Sequence, residues 1–287
     1  MPLIANRNLK KKLLQLYPVK FLKDYFSEAG NREEILEIIS DKPNNIIASF
    51  VADYHGVTKQ NIYLFTMARP FNPASDMNGF PFDIGVSRTD NTKYVYLIFP
   101  KVVYSVYLNN PVAREDIEFL QPVLIEIEGN SLIVKFTKLE KNVKSYFPDD
   151  REPRLANETN TEDQTLSSIV GYFNSLSVVS VNDFNAGIKA LWDLDDLDCM
   201  KISYRDAHST VIVTMDGDLT FKQQYPDKYL EMANDPIGAS SWKFLQNTGT
   251  LLEMFKCDPS NGIFNINKYS DTVNQTSNVI SRILAQN

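Results

Sequence analysis

The chain has 287 residues, 43% of them hydrophobic and 11% aromatic, which suits two packed cores of ordinary size. No apolar run approaches the roughly 20 residues of a membrane-spanning helix, MPLIANRNLKKK lacks the apolar segment of a secretory signal, and two cysteines, Cys199 and Cys257, are too few for a disulfide framework. The net charge of −7 is uneven, with 18 basic against 16 acidic residues in 1–148 and 11 against 20 in 149–287, so a polyanion is expected at the first half and a protein partner at the acidic second half. These features predict an intracellular protein, cytoplasmic or nuclear, with no membrane attachment.

In chain order, residues 1–57 read as a small helical domain. Leu9, Leu13 and Leu16 fall near helical spacing, Pro18 suits the first turn of a second helix, and Asn31 with Glu34 forms a capping box for a third. Ile46, Ile47, Phe50, Val51 and Tyr54 mark a fourth, ended by Gly56. Thr58 to Arg69 fits a strand or a helix, and residues 70–82 are a loop on their Pro and Gly content.

Residues 58–148 form a central β-rich domain around the strongest strand signal in the chain. Tyr94 to Phe99 and Val102 to Leu108 are runs of aromatic and branched residues broken by Pro100, and Leu124 to Ile127 returns through Gly129-Asn130 into Leu132 to Phe136 as a tight hairpin. Residues 149–165 are nearly devoid of apolar side chains and read as a linker or mobile loop. Residues 166–287 then read as an acidic α+β domain. Helices are expected at Leu166 to Leu176, Phe184 to Trp192, Tyr225 to Ala233, Ser241 to Phe255 and Tyr269 to Leu284. A three-stranded meander is expected through Ile202 and Tyr204, Val211 to Met215, and Leu219 to Phe221, with Asp216-Gly217 as a turn. The fold class is therefore α+β.

No Walker loop, dinucleotide fingerprint or nucleophile elbow is present, and His55 and His208 alone offer little to a triad or a zinc site. No catalytic residue, metal ligand or cofactor is assigned. The acidic run Asp193, Asp195, Asp196 and Asp198 lacks the glycine and the final glutamate of a calcium loop and reads as an acidic helix end. Asp83, Glu126, Glu128 and Lys135 compose a possible divalent-metal nuclease, although Glu126 and Glu128 alternate with Ile125 and Ile127 as the wet face of a strand does.

The densest basic cluster is Lys10, Lys11 and Lys12, flanked by Arg7, Lys20 and Lys23. It reads either as a solvated helix face or as a set of phosphate contacts that neutralise a backbone without reading sequence. A second series, Lys135, Lys138, Lys141 and Lys144, recurs every three residues, and its last three members share a face if the segment is helical.

YHGVTKQNIYLFTM (Tyr54 to Met67) and TKYVYLIFPKVVYSVYLNN (Thr92 to Asn110), in that order behind a small helical domain, resemble the centromere protein N family over about the first 110 residues. The resemblance implies a death-fold-like helical domain joined to an α/β domain, with DNA held by basic residues, here Lys10, Lys11, Lys12, Lys59 and Lys101. The leading expectation is a non-enzymatic nucleic-acid-binding or adaptor protein, meeting duplex phosphates through its N-terminal half and a protein through its acidic half. The alternatives are the metal nuclease and a purely protein-binding structural subunit.

Overall fold

The computed structural model describes residues 6–109, 111–147, 151–205, 210–215, 219–232 and 235–287. The chain opens with α1 (Arg7–Leu14), α2 (Val19–Phe26), α3 (Arg32–Ser40) and α4 (Asn44–Tyr54), followed by a single 3-10 turn at His55–Val57. Local chemistry sets these boundaries. Asn31 accepts from the Glu34 amide while Glu34 returns to the Asn31 amide, and Pro18 and Pro43 stand immediately before α2 and α4.

Next come β1 (Gln60–Met67), the short α5 (Pro73–Asp76), β2 (Ile84–Asp90), β3 (Lys93–Ile98), β4 (Lys101–Asn109), β5 (Val112–Leu120), β6 (Val123–Glu128) and β7 (Ser131–Thr137). β8 (Pro153–Thr159), α6 (Glu162–Leu176), β9 (Val179–Val181), α7 (Asn185–Asp193), β10 (Leu197–Arg205) and β11 (Thr210–Thr214) follow. The chain closes with α8 (Phe221–Gln224), α9 (Pro226–Met232), β12 (Ile237–Phe244), β13 (Met254–Asp258), β14 (Ile263–Ile266) and α10 (Gln275–Leu284). The class is α+β with antiparallel sheets. Among the described residues no helix is long and apolar enough to cross a membrane.

The chain divides into two compact units, Met1–Thr58 with Met67–Val179, and Lys59–Thr66 with Ser180–Asn287. In the first, α1 to α4 close over Leu13, Leu22, Ile39, Ile47 and Phe50, all fully buried, with the Tyr25 and Tyr54 rings against Phe50. The same unit holds a four-stranded array in the order β7-β6-β3-β2 and a separate three-stranded sheet in the order β5-β4-β8. Pro100 stands where the chain leaves one sheet for the other, so the two aromatic runs either side of it are consecutive but unpaired. The β6–β7 hairpin turns on Gly129 at φ +58°, a left-handed conformation that costs glycine nothing.

The stretch expected as a linker carries β8, which pairs with β4 from Val103↔Thr159 to Leu108↔Pro153. Its side chains are mostly exposed because it is an edge strand, which is why no apolar alternation marks it. The charged residues of 151–163 therefore belong to the first unit. By unit the charge is nearly even, 19 basic against 22 acidic residues in the first and 10 against 14 in the second.

The second unit is built on an antiparallel sheet in the order β11-β10-β12-β13-β14-β1. Phe184 stacks on Phe264 at 4.4 Å and Trp192 meets Trp242 edge-on at 5.1 Å. Gly187 lets α7 approach α10 closely, since a Cβ there would lie 2.2 Å from the Ile283 carbonyl oxygen.

Two expectations fail in this unit. Ser241 to Phe255 is not a helix: it comprises the end of β12, a turn in which Asn247 Oδ1 accepts from the Gly249 and Leu251 amides, and the start of β13. Nor is Leu219 to Phe221 a strand. Thr220 and Gln223 form a capping box that starts α8, and the strand beside the β10–β11 hairpin is β12. The Asp216-Gly217 turn and His208 lie outside the described residues. Cys199 and Cys257 are both buried free thiols, and burial pushes the Cys257 thiol up to about 12.

Candidate nucleic-acid interface

The α1 lysines lie in the first unit, each engaged with its own chain. Lys10 Nζ donates to the Lys42 carbonyl at 3.0 Å, and Lys11 pairs with Glu37, which also takes Arg7 at 3.0 Å. Lys12 Nζ donates to the Glu118 carbonyl at 3.0 Å and lies 5.0 Å from the Phe119 ring centroid and 5.5 Å from that of Tyr146. Burial lowers its pKa, with the Glu118 carboxylate opposing. Exposed pairs such as Lys11–Glu37 are screened by solvent, contribute little and exchange readily for a phosphate. Lys12 does not exchange so easily, because its stem and charge fix α1 to β5.

Lys101 pairs with the Glu118 carboxylate, so Lys101 and Lys12 converge on one residue. Lys59 belongs to the second unit, its ammonium 5.2 Å from the Tyr269 ring centroid.

The series at 135–144 does not form a basic helix face, since the only helical piece is a 3-10 turn at Val143–Tyr146. Lys135 is 3% exposed and inaccessible to a phosphate. It donates to Glu126 at 2.8 Å, and Lys93 reaches the other carboxylate oxygen at 2.8 Å. Burial favours a neutral Glu126, and the two ammonium groups overcome it, holding the carboxyl well below the usual carboxylate range. Lys138 is half-buried and has contacts of its own, Lys141 pairs with Glu158 at 3.0 Å, and Lys144 is exposed.

His55 lies in the same buried polar region, Nε2 being 3.2 Å from Thr137 Oγ1 and 3.5 Å from the Pro122 carbonyl. Burial, with the Lys135 charge added, lowers its imidazole to about 3, so it is neutral near pH 7.

Of the residues of the nuclease reading, Glu126 and Lys135 meet, but the four do not converge on one open site. Glu126 is occupied by two lysines, Glu128 accepts from Thr92 at 3.1 Å, and Asp83 lines a separate cleft of about 530 Å3 with Phe80, Phe82, Phe99 and Lys101. No group of three or more His, Cys, Asp or Glu able to hold a metal ion occurs among the described residues.

The open face of the β5-β4-β8 sheet holds a constellation that no run of sequence displays. Along β4, Val102, Tyr104, Val106 and Leu108 are fully buried, packing with Ile117, Phe119 and Val143. The alternate residues turn outward, among them Tyr107, which is 42% exposed. Opposite Tyr107 stand Arg114 on β5 and Arg154 on β8. Both arginines are exposed and without an ion-pair partner among the described residues.

One row along, Ser105 donates to Asp116 at 2.6 Å and faces Asn157. The alternation of buried and exposed positions in β4 was visible as strand character; the partner Arg154 was hidden because β8 has no apolar pattern. In comparison with known proteins, no family model matches this sequence and no curated protein matches it.

Proposed function

We propose that the protein is a non-catalytic binding module whose first unit contacts nucleic acid and whose second unit contacts a protein partner. The observation that carries the reading is the Arg114–Tyr107–Arg154 row. Two guanidinium groups flank an exposed aromatic ring on one sheet face, a pattern suited to holding phosphates on either side of a sugar or base. The overall charge of the unit does not attract polyanions, so the contact is local, and Lys10 and Lys11 add to it only by releasing their present partners. The resemblance of Tyr54–Met67 and Thr92–Asn110 to centromere protein N agrees in kind with this reading.

Fluorescence anisotropy with labelled duplex and single strands, between 50 and 200 mM salt, tests it. Arg114→Glu with Arg154→Glu should lower the slope of log affinity against log salt by about 1.8 for duplex, and Tyr107→Ala should weaken single-strand binding by about 1–3 kcal/mol if a base stacks there. Absence of salt-dependent binding by the parent chain would overturn the reading.

A second reading, a purely protein-binding subunit, is favoured by Val112 and Leu155, which are exposed at 71% and 36% on the same small sheet. It predicts no nucleic-acid binding at any salt concentration.

A further inference from the structure

In the second unit the strand register carries one row of side chains across four neighbouring strands. Lys201 of β10 lies opposite Ser241 of β12, Ser241 opposite Lys256 of β13, and Lys256 opposite Asn265 of β14. Directly opposed residues of an antiparallel ladder project to the same face. The row therefore places a hydroxyl between two lysines, with an amide beyond. It extends to Asn61 of β1, whose Oδ1 accepts from Asn265 Nδ2 at 3.0 Å. Lys201, Ser241, Lys256 and Asn265 line a cavity of about 430 Å3.

Two features of this row suit a ligand. Ser241 lines the cavity, and its hydroxyl, which has no hydrogen-bond partner among the described residues, is available to a group bound there. Lys201 and Lys256 are exposed and have no counter-ion among the described residues, in a unit where acidic residues outnumber basic ones. Their strands lie two ladder steps apart, about 9–10 Å, so two lysine stems can close over one group resting on Ser241.

The carboxylate that lines the cavity, Asp258, is two residues along β13 from Lys256; its Oδ2 accepts from Asn261 Nδ2 at 2.9 Å, while Oδ1 is buried without a partner among the described residues and opposes an anion, so the two ammonium groups must outweigh it. We propose that this cavity binds a phosphate-class oxyanion, held by the ammonium groups of Lys201 and Lys256 and by the Ser241 hydroxyl. It is independent of the nucleic-acid reading, which rests on residues of the first unit.

Isothermal titration calorimetry of the full chain tests it, at fixed ionic strength in chloride, with inorganic phosphate as one probe and O-phosphoserine as the monoester. Saturable one-to-one binding is expected. It should weaken at least tenfold in Lys201→Gln and in Lys256→Gln and severalfold in Ser241→Ala, and remain in Lys243→Gln, which changes a lysine of β12 outside the cavity. Tighter binding of phosphoserine than of phosphate would assign the site to an esterified group, and the reverse to the free ion.

Melting curves matching the parent establish that the variants are folded. No saturable heat at millimolar phosphate, or unchanged affinity in the folded Lys201→Gln/Lys256→Gln double variant, overturns the proposal. Loss of duplex binding in that double variant overturns its independence from the first unit.

Discussion

The α1 lysine run and the open face of the β5-β4-β8 sheet present opposite relations between charge in sequence and charge in space. Lys10, Lys11 and Lys12 are adjacent in the chain, yet the helix turns them to different neighbours: a carbonyl at Lys42, a carboxylate at Glu37, and the rings of Phe119 and Tyr146. Arg114 and Arg154 are forty residues apart, and β4 brings them to either side of Tyr107 with no ion-pair partner among the described residues. Adjacency in the chain therefore does not make a basic face: here the lysine run is engaged within its own fold, whereas strand register gathers two arginines that have no ion-pair partner among the described residues. Lys135 marks the extreme of the first case, a lysine wholly committed to the interior.

The largest effect is expected there. Lys135→Ala removes one of the two cations from buried Glu126 and should cost about 3–5 kcal/mol of unfolding free energy in urea titration. Lys135→Met with Glu126→Leu should recover much of that loss. A single variant as stable as the parent would show that Lys135 is not structurally committed, and would reopen it as a phosphate contact.

The pH dependence of His55 comes next. Its imidazole is held at about 3 in the folded chain against an ordinary value near 6.5, chiefly by burial and then by Lys135. Because the folded value is lowered, the stability tied to neutral His55 is complete above about pH 6.5 and is lost as pH falls towards 3. By pH 5 the loss from this residue alone is about 2 kcal/mol. His55→Gln should therefore narrow its stability gap to the parent by that amount between pH 7.5 and pH 5; a constant gap would mean that His55 titrates alike in the folded and unfolded chains, and its burial does not lower it.

Smaller still is Lys12→Ala, which forfeits a cation–π contact and a hydrogen bond and should cost about 1–2 kcal/mol, read as a lower melting temperature. The smallest change is expected for Lys10→Glu with Lys11→Glu. These residues have only surface partners, so stability should shift by about 0.5 kcal/mol or less per site. Their effect on the salt slope of nucleic-acid binding should stay well below the roughly 1.8 units expected for two full contacts. A drop that large would return the α1 run to the centre of the interface and break the contrast with the sheet face.

Local signals determined much of this protein. The Asn31–Glu34 box, the prolines before α2 and α4, the Gly129 turn and the alternation along β4 and β6 act over a few residues, and their elements lie where the sequence put them. Where local signals were weak or competed, tertiary pairing decided. β8 had no apolar face because an edge strand needs none, and Trp242 and Phe255 matched a helix until β12 and β13 paired through a turn. The candidate sites depend on that pairing more than the elements do. Tyr107 meets Arg154, and Lys201 meets Lys256 across Ser241, only because strand register sums contacts between residues distant in the chain. Residue spacing does not encode such register; it emerges when each sheet buries its apolar face and the opposite side chains are carried outward together.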